Sequence, residues 1–147
     1  MLIVLEGCDG SGKTTIARNL KAVLPNAEII HCTTETPNDF EFFHSIILAS
    51  YNRDIIADRF CYGQFVYQAP EERHISTEEL ITLEAEMLAA NAKLIHVTAP
   101  VSTIKERLSW RGEKAMHPVE EITDRYIDLF ERTLIKPHLW WTGSDVD

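Results

Sequence analysis

Eight residues near the start of the chain, Gly7-Cys8-Asp9-Gly10-Ser11-Gly12-Lys13-Thr14, constrain the fold more than anything else in it. The spacing is that of a phosphate-binding P-loop, and its surroundings agree. Before it runs Met1-Leu2-Ile3-Val4-Leu5-Glu6, an apolar stretch of strand length. After it, Ile16, Leu20 and Leu24 recur at four-residue steps, the stripe of an amphipathic helix. Glycines let main-chain N–H groups close around phosphate oxygens without Cβ clashes, and the helix start adds partial positive charge. In such a loop Lys13 reaches the β- and γ-phosphates, while the Thr14 hydroxyl ligates Mg²⁺. Gly7, Cys8, Asp9, Gly10, Ser11, Gly12, Lys13, Thr14 and Thr15 are therefore the expected ATP-binding residues.

Strand and helix signals alternate after the loop. Ala27–His31, Asp54–Asp58 and Lys93–Val97 read as further strands. Helices are expected after a Thr36 N-cap with Pro37 at the first position, over Tyr62–Gln68, and after a Ser76/Glu79 capping box. Two more run over about 102–111 and from Pro118 onward. In the helix after Ser76, Leu80, Leu83, Met87 and Leu88 form the apolar side; in the last one, Ile122, Tyr126, Leu129, Phe130 and Thr133 face inward. This alternation predicts a P-loop NTPase α/β fold, three layers around a short parallel sheet, as one compact domain over 1–147. The stretch after Lys136 is short for a fifth strand, and Trp140-Trp141 is expected to pack on the sheet edge or on a partner subunit.

A formal net charge of −9 argues against life on nucleic acid, whose backbone demands a cationic surface. A bound nucleotide needs only a few placed cations, for which Lys13, Arg59, Arg107, Arg111 and Lys114 are candidates. No apolar run approaches membrane-spanning length, and Met1 leads directly into a strand, so no membrane partner or signal peptide is expected. Cys8, Cys32 and Cys61 lack metal-like spacing and suit a reducing cytoplasm, the expected location. Cys8, inside an anion-binding loop, is a candidate for an acidic, oxidisable thiol.

Ligands of such sheets lie at the carboxyl ends of the strands. Asp58 follows an apolar strand, where P-loop proteins keep an acid for Mg²⁺. Arg59 beside it is placed for a phosphate of a second substrate; a structural ion pair capping the strand is the alternative. A lid over about 109–118, carrying Arg111, would bring charge to a moving phosphoryl group and exclude water; a solvated basic turn is its plain alternative. The acceptor region is expected at about 33–53. There Glu35 is a candidate general base or sugar ligand, and Phe40 and Phe43 either stack on a base or belong to the core.

With these residues assembled, the chain resembles the thymidylate kinase family of P-loop nucleoside monophosphate kinases. Leu5–Thr15 is similar to that family's E-G-x-D-G-x-G-K-[ST]-T loop, Asp58–Gln68 to its D-R-[FY]-x-x-S-x-x-A-Y-Q block, and Arg107-Leu108-x-x-Arg111-Gly112-Glu113 to its lid. The resemblance implies that Asp9 contacts the acceptor sugar and Arg59 its phosphate, with Tyr67 and Gln68 near its base. Ser11 at the variable loop position implies that the lid supplies the arginine, Arg111, with Arg107 on the ATP side. Gly63 replaces the family's serine, and the region between Thr14 and Asp58 is short.

The expected activity is ATP- and Mg²⁺-dependent phosphorylation of a deoxynucleoside monophosphate, thymidylate-like, with Lys13, Asp58, Arg59 and Arg111 as catalytic residues and Thr14 and Asp58 on the metal. The alternatives are a deoxynucleoside or nucleic-acid hydroxyl kinase, and a non-catalytic nucleotide-binding module. Expected partners are small nucleotides and, from the resemblance, a second copy in a homodimer.

Overall fold

The computed structural model describes residues 1–115 and 117–143. Met116, inside the expected lid, lies outside the described residues. Five strands form the sheet: β1 (Leu2–Glu6), β2 (Glu28–His31), β3 (Ile55–Asp58), β4 (Lys93–Thr98) and β5 (His138–Trp141). Their order is β2-β3-β1-β4-β5, and every pair is parallel. The first strand thus sits at the centre, which explains why Leu2–Glu6 is buried throughout.

Six α-helices connect the strands among the described residues: α1 (Lys13–Val23), α2 (Phe40–Ala49), α3 (Gln64–Tyr67), α4 (Thr77–Ala89), α5 (Val101–Trp110) and α6 (Val119–Arg132). On one face of the sheet, Ile16 and Ala17 of α1 pack on Ile3, Leu5, Ile56 and Val97. On the other, Phe43 and Ile47 of α2, Leu83 and Met87 of α4, Ile104 of α5, and Tyr126 and Phe130 of α6 cover Leu2, Val4, Ala57 and Leu94. Alternate residues of β1 and β3 feed opposite clusters, as the period of two requires. The α/β/α layering is the one expected.

Three local expectations need correction. The second helix is capped by Asp39, whose side chain accepts from the Phe42 N–H at 2.9 Å, not by Thr36. Asn38 has φ 54, so no helix can run through it from Pro37; the Thr36 hydroxyl instead donates to the Thr33 carbonyl at 2.8 Å in a separate turn. Leu88 is 55% exposed and lies off the apolar face of α4, although the Ser76/Glu79 capping box forms in full. The segment after Lys136 does make a fifth strand, paired with β4 from Ile95↔His138 to Thr98↔Trp141. Trp140 and Trp141 are half exposed on that edge strand. Among the described residues no helix is long and apolar enough to cross a membrane.

Candidate active site

Strand register levels the site. Leu5 and His31 both lie opposite Asp58, and Glu6 lies opposite His96, so β1, β2 and β3 end at nearly one level, with β4 running two residues further to Thr98. The P-loop leaves β1 there. Gly7 passes so close to β4 that a Cβ on it would lie 2.2 Å from the Val97 carbonyl oxygen. Gly12, at φ 107, turns the chain into α1 without a side-chain cap, leaving that helix start open for an anion.

A cleft of about 120 Å³ opens above these strand ends. It is lined by Asp9, Gly10, Gly12, Lys13, Thr14 and Thr15 of the loop and helix start and by Asp58, Arg59 and Arg111. Lys13 is 6% exposed and donates to the Cys8 carbonyl at 3.0 Å. Burial, with the Arg59 charge next, pushes its ammonium down to about 8. Asp58 Oδ2 lies 3.2 Å from His31 Nδ1. Arg59 adopts the left-handed conformation (φ 69), forms an ion pair with Asp9, and sets its guanidinium 5.1 Å from the centre of the Tyr67 ring. The Tyr67 hydroxyl and Gln68 Oε1 are shielded from solvent with no hydrogen-bond partner among the described residues.

Other expected site residues sit elsewhere. Phe43 is fully buried with its ring 4.8 Å from that of Phe60; it is a core residue and offers no face to a base, contrary to one of its two readings. Phe40 is half-buried and stacks on His44 within α2. Glu35 is exposed in the turn after β2 and is not among the residues lining the cleft. Arg107 reaches the loop rather than the open cleft: Nη1 donates to the Gly10 carbonyl at 3.1 Å and to the Thr142 hydroxyl at 3.0 Å. The Cys8 expectation is corrected too, since burial pushes its thiol up rather than down. Burial does the same at Cys32, to about 12, and at Cys61.

Sequence reasoning quoted Glu6 only as a motif letter, yet it organises the second half of the site. It is fully buried; one oxygen accepts from Phe60 N (3.0 Å) and Tyr62 N (3.2 Å), the other from the Tyr126 hydroxyl (3.1 Å). A second buried acid, Glu84, accepts from the Tyr62 hydroxyl at 2.9 Å. Tyr62 is thereby fixed at both ends, and the backbone beyond Arg59 with it. Burial pushes the Glu6 carboxyl up to about 7, against the pull of Arg59. Its only sequence signal was a carboxylate ending an all-apolar strand.

Fold and cleft together define a P-loop fold of the kinase-like kind. The chain belongs to the family of the SPbeta prophage-derived uncharacterized protein YorR of Bacillus subtilis, to which it is 30% identical over 149 residues, 97% of this chain and 90% of that protein. A crystal structure of the Bacillus subtilis YorR protein in complex with phosphorylated GDP superposes with a TM-score of 0.83 at 27% identity, over 98% of this chain and 87% of that one. Deoxyadenosine kinase from M. mycoides with bound dATP (TM-score 0.57, 15% identity, 100% of this chain and 93% of that chain) shares the fold. So does thymidylate kinase from Ehrlichia chaffeensis (0.54, 17%, 100% and 89%). The resemblance to the thymidylate kinase-like P-loop kinases is thus borne out in the fold. No family model matches the chain.

Proposed function

We propose that this protein transfers the γ-phosphoryl group of ATP to the phosphate of a deoxynucleoside monophosphate, thymidylate-like. The observation that carries this reading is the meeting of Lys13, Thr14, Asp58, Arg59 and Arg111 around one cleft at the open start of α1. The loop amides and Lys13 hold the triphosphate tail, and the acceptor phosphate meets Arg59. Asp9 turns from Arg59 to a sugar hydroxyl, and the unpartnered Tyr67 and Gln68 atoms take polar groups of the acceptor. Arg111, exposed at the C-terminal end of α5, swings onto the transferring group.

The donor set fits Mg²⁺. Thr14 and Asp58 offer two hard oxygens in the same cleft, and Mg²⁺ takes few protein ligands, completing its shell with water and phosphate oxygens. When bound, that ion would neutralise phosphate charge between donor and acceptor. Phosphoryl transfer then needs in-line placement more than covalent chemistry, and Arg59, its N–H bonded to the Leu5 carbonyl at 2.8 Å, supplies it.

The test is a screen of nucleosides and nucleoside monophosphates with labelled ATP and GTP, the latter because the YorR crystal structure holds a guanine nucleotide. Turnover of monophosphates only, with the acceptor KM raised at least about tenfold in Arg59→Ala and unchanged in Glu35→Gln, supports the proposal. Nucleoside turnover lost in Glu35→Gln would favour the hydroxyl-kinase reading. Binding without any transfer would leave a nucleotide-binding module.

A further inference from the structure

The last described residues return to the P-loop. The Thr142 backbone N–H extends the β5 ladder onto the Thr98 carbonyl at 2.7 Å, hanging the residue from the end of β4. From there its hydroxyl meets three groups: the Ser11 carbonyl, the Thr98 carbonyl at 3.2 Å, and Arg107 Nη1 at 3.0 Å. Arg107 in turn holds the Gly10 carbonyl at 3.1 Å. Two successive loop carbonyls are thus gripped from β5 and α5. The fit is close, since a Cβ on Gly12 would lie 3.2 Å from the Thr142 side chain.

A trans peptide points its C=O and N–H in opposite directions. Pinning the Gly10 carbonyl therefore turns the Ser11 N–H away from Arg107, and it closes the loop on the Cys8 carbonyl at 3.2 Å. Pinning the Ser11 carbonyl turns the Gly12 N–H away from Thr142, toward the side where the amides of the α1 start stand open. A glycine-rich loop left alone samples many such orientations, and fixing one beforehand removes an ordering cost from anion binding.

We infer that Thr142, working with Arg107, is a positioning residue for the triphosphate: a clasp at the end of β5 that aims the P-loop amides. Neither side chain needs to touch the phosphates. The inference rests on the proposed nucleotide site but not on the identity of the acceptor. It also gives β5 a task beyond completing the sheet.

Thr142→Val keeps the side-chain shape and removes the hydroxyl, while Thr142→Ser restores it. Titration with a fluorescent ATP analogue and Mg²⁺ is expected to give about three- to tenfold weaker binding for Thr142→Val and near-parent binding for Thr142→Ser. In turnover the KM for ATP rises by the same factor while the acceptor KM holds, a split that general loosening would not produce. Amide hydrogen exchange of the peptide carrying residues 7–14, measured without nucleotide, should quicken in Thr142→Val. Equal ATP affinity and equal exchange in parent and Thr142→Val overturn the clasp and leave the kinase proposal standing. A parent that binds ATP but transfers no phosphate overturns the kinase proposal alone, and the titration still decides the clasp. If Thr142→Val does not fold, Arg107→Met, which removes the Nη1 donor that serves both Gly10 and Thr142, must show the same exchange change or the inference falls.

Discussion

Replacing Glu6 with glutamine should make the protein's stability less dependent on pH, in a direction and size the buried carboxylate dictates. The Glu6 carboxyl is pushed up to about 7 in the folded chain from an ordinary 4.5. Below 4.5 the group is protonated in both states and its contribution is fully present. Between 4.5 and 7 only the unfolded chain ionises, so folding loses about 1.4 kcal/mol per pH unit. Above 7 the loss levels off near about 3 kcal/mol. Glutamine cannot ionise; it still accepts from Phe60 N and Tyr62 N, and its amide can donate to the Tyr126 oxygen. At pH 4.5 the exchange should therefore cost no more than about 1 kcal/mol. Urea unfolding of parent and Glu6→Gln at pH 4.5, 6, 7 and 8 measures the difference, with other titrating groups largely cancelling in the subtraction. The stability of Glu6→Gln relative to the parent should climb by about 3 kcal/mol across that range. A difference that stays constant with pH would show that Glu6 ionises as freely folded as unfolded, and the account of its burial would fail.

Lys13 gives a second pH signature. Its ammonium is pushed down to about 8, so the empty site attracts ATP best below that value, and affinity should fall by up to about tenfold per unit above it. Lys13→Met should bind weakly at every pH with the slope gone, as read by the same fluorescent titration. Phe43→Ala tests the core assignment: a loss of about 3–5 kcal/mol in urea unfolding is expected, with the acceptor KM unmoved. An elevated acceptor KM at unchanged stability would return Phe43 to the ligand.

What could be read in advance was whatever has a local period or a local motif. The P-loop, four of the strands and the Ser76/Glu79 capping box lie within a few residues of their own causes. Strand β5 does not, because His138-Leu139-Trp140-Trp141 is exposed at every position and becomes a strand only through pairing with β4. The Thr36 cap failed for a related reason: Thr, Asn and Asp signals cluster from 33 to 39, and the positive φ of Asn38 decides among them. Helical spacing placed Phe43 on a face but could not say whether that face meets the core or a ligand. The roles of Glu6 and Thr142 are set by groups distant in sequence, at Phe60, Tyr62 and Tyr126 for the first and Ser11 and Arg107 for the second.

The central place of β1 also bears on how the chain is made. One edge of that strand can be paired only once residues 55–58 have been synthesised, and the other only after 93–98, because β3 and β4 are its two neighbours. A nascent chain stalled before β4 carries its most apolar strand with one side bare, the kind of template that recruits other unfinished chains. The interval between synthesis of β3 and of β4 thus leaves this architecture open to aggregation.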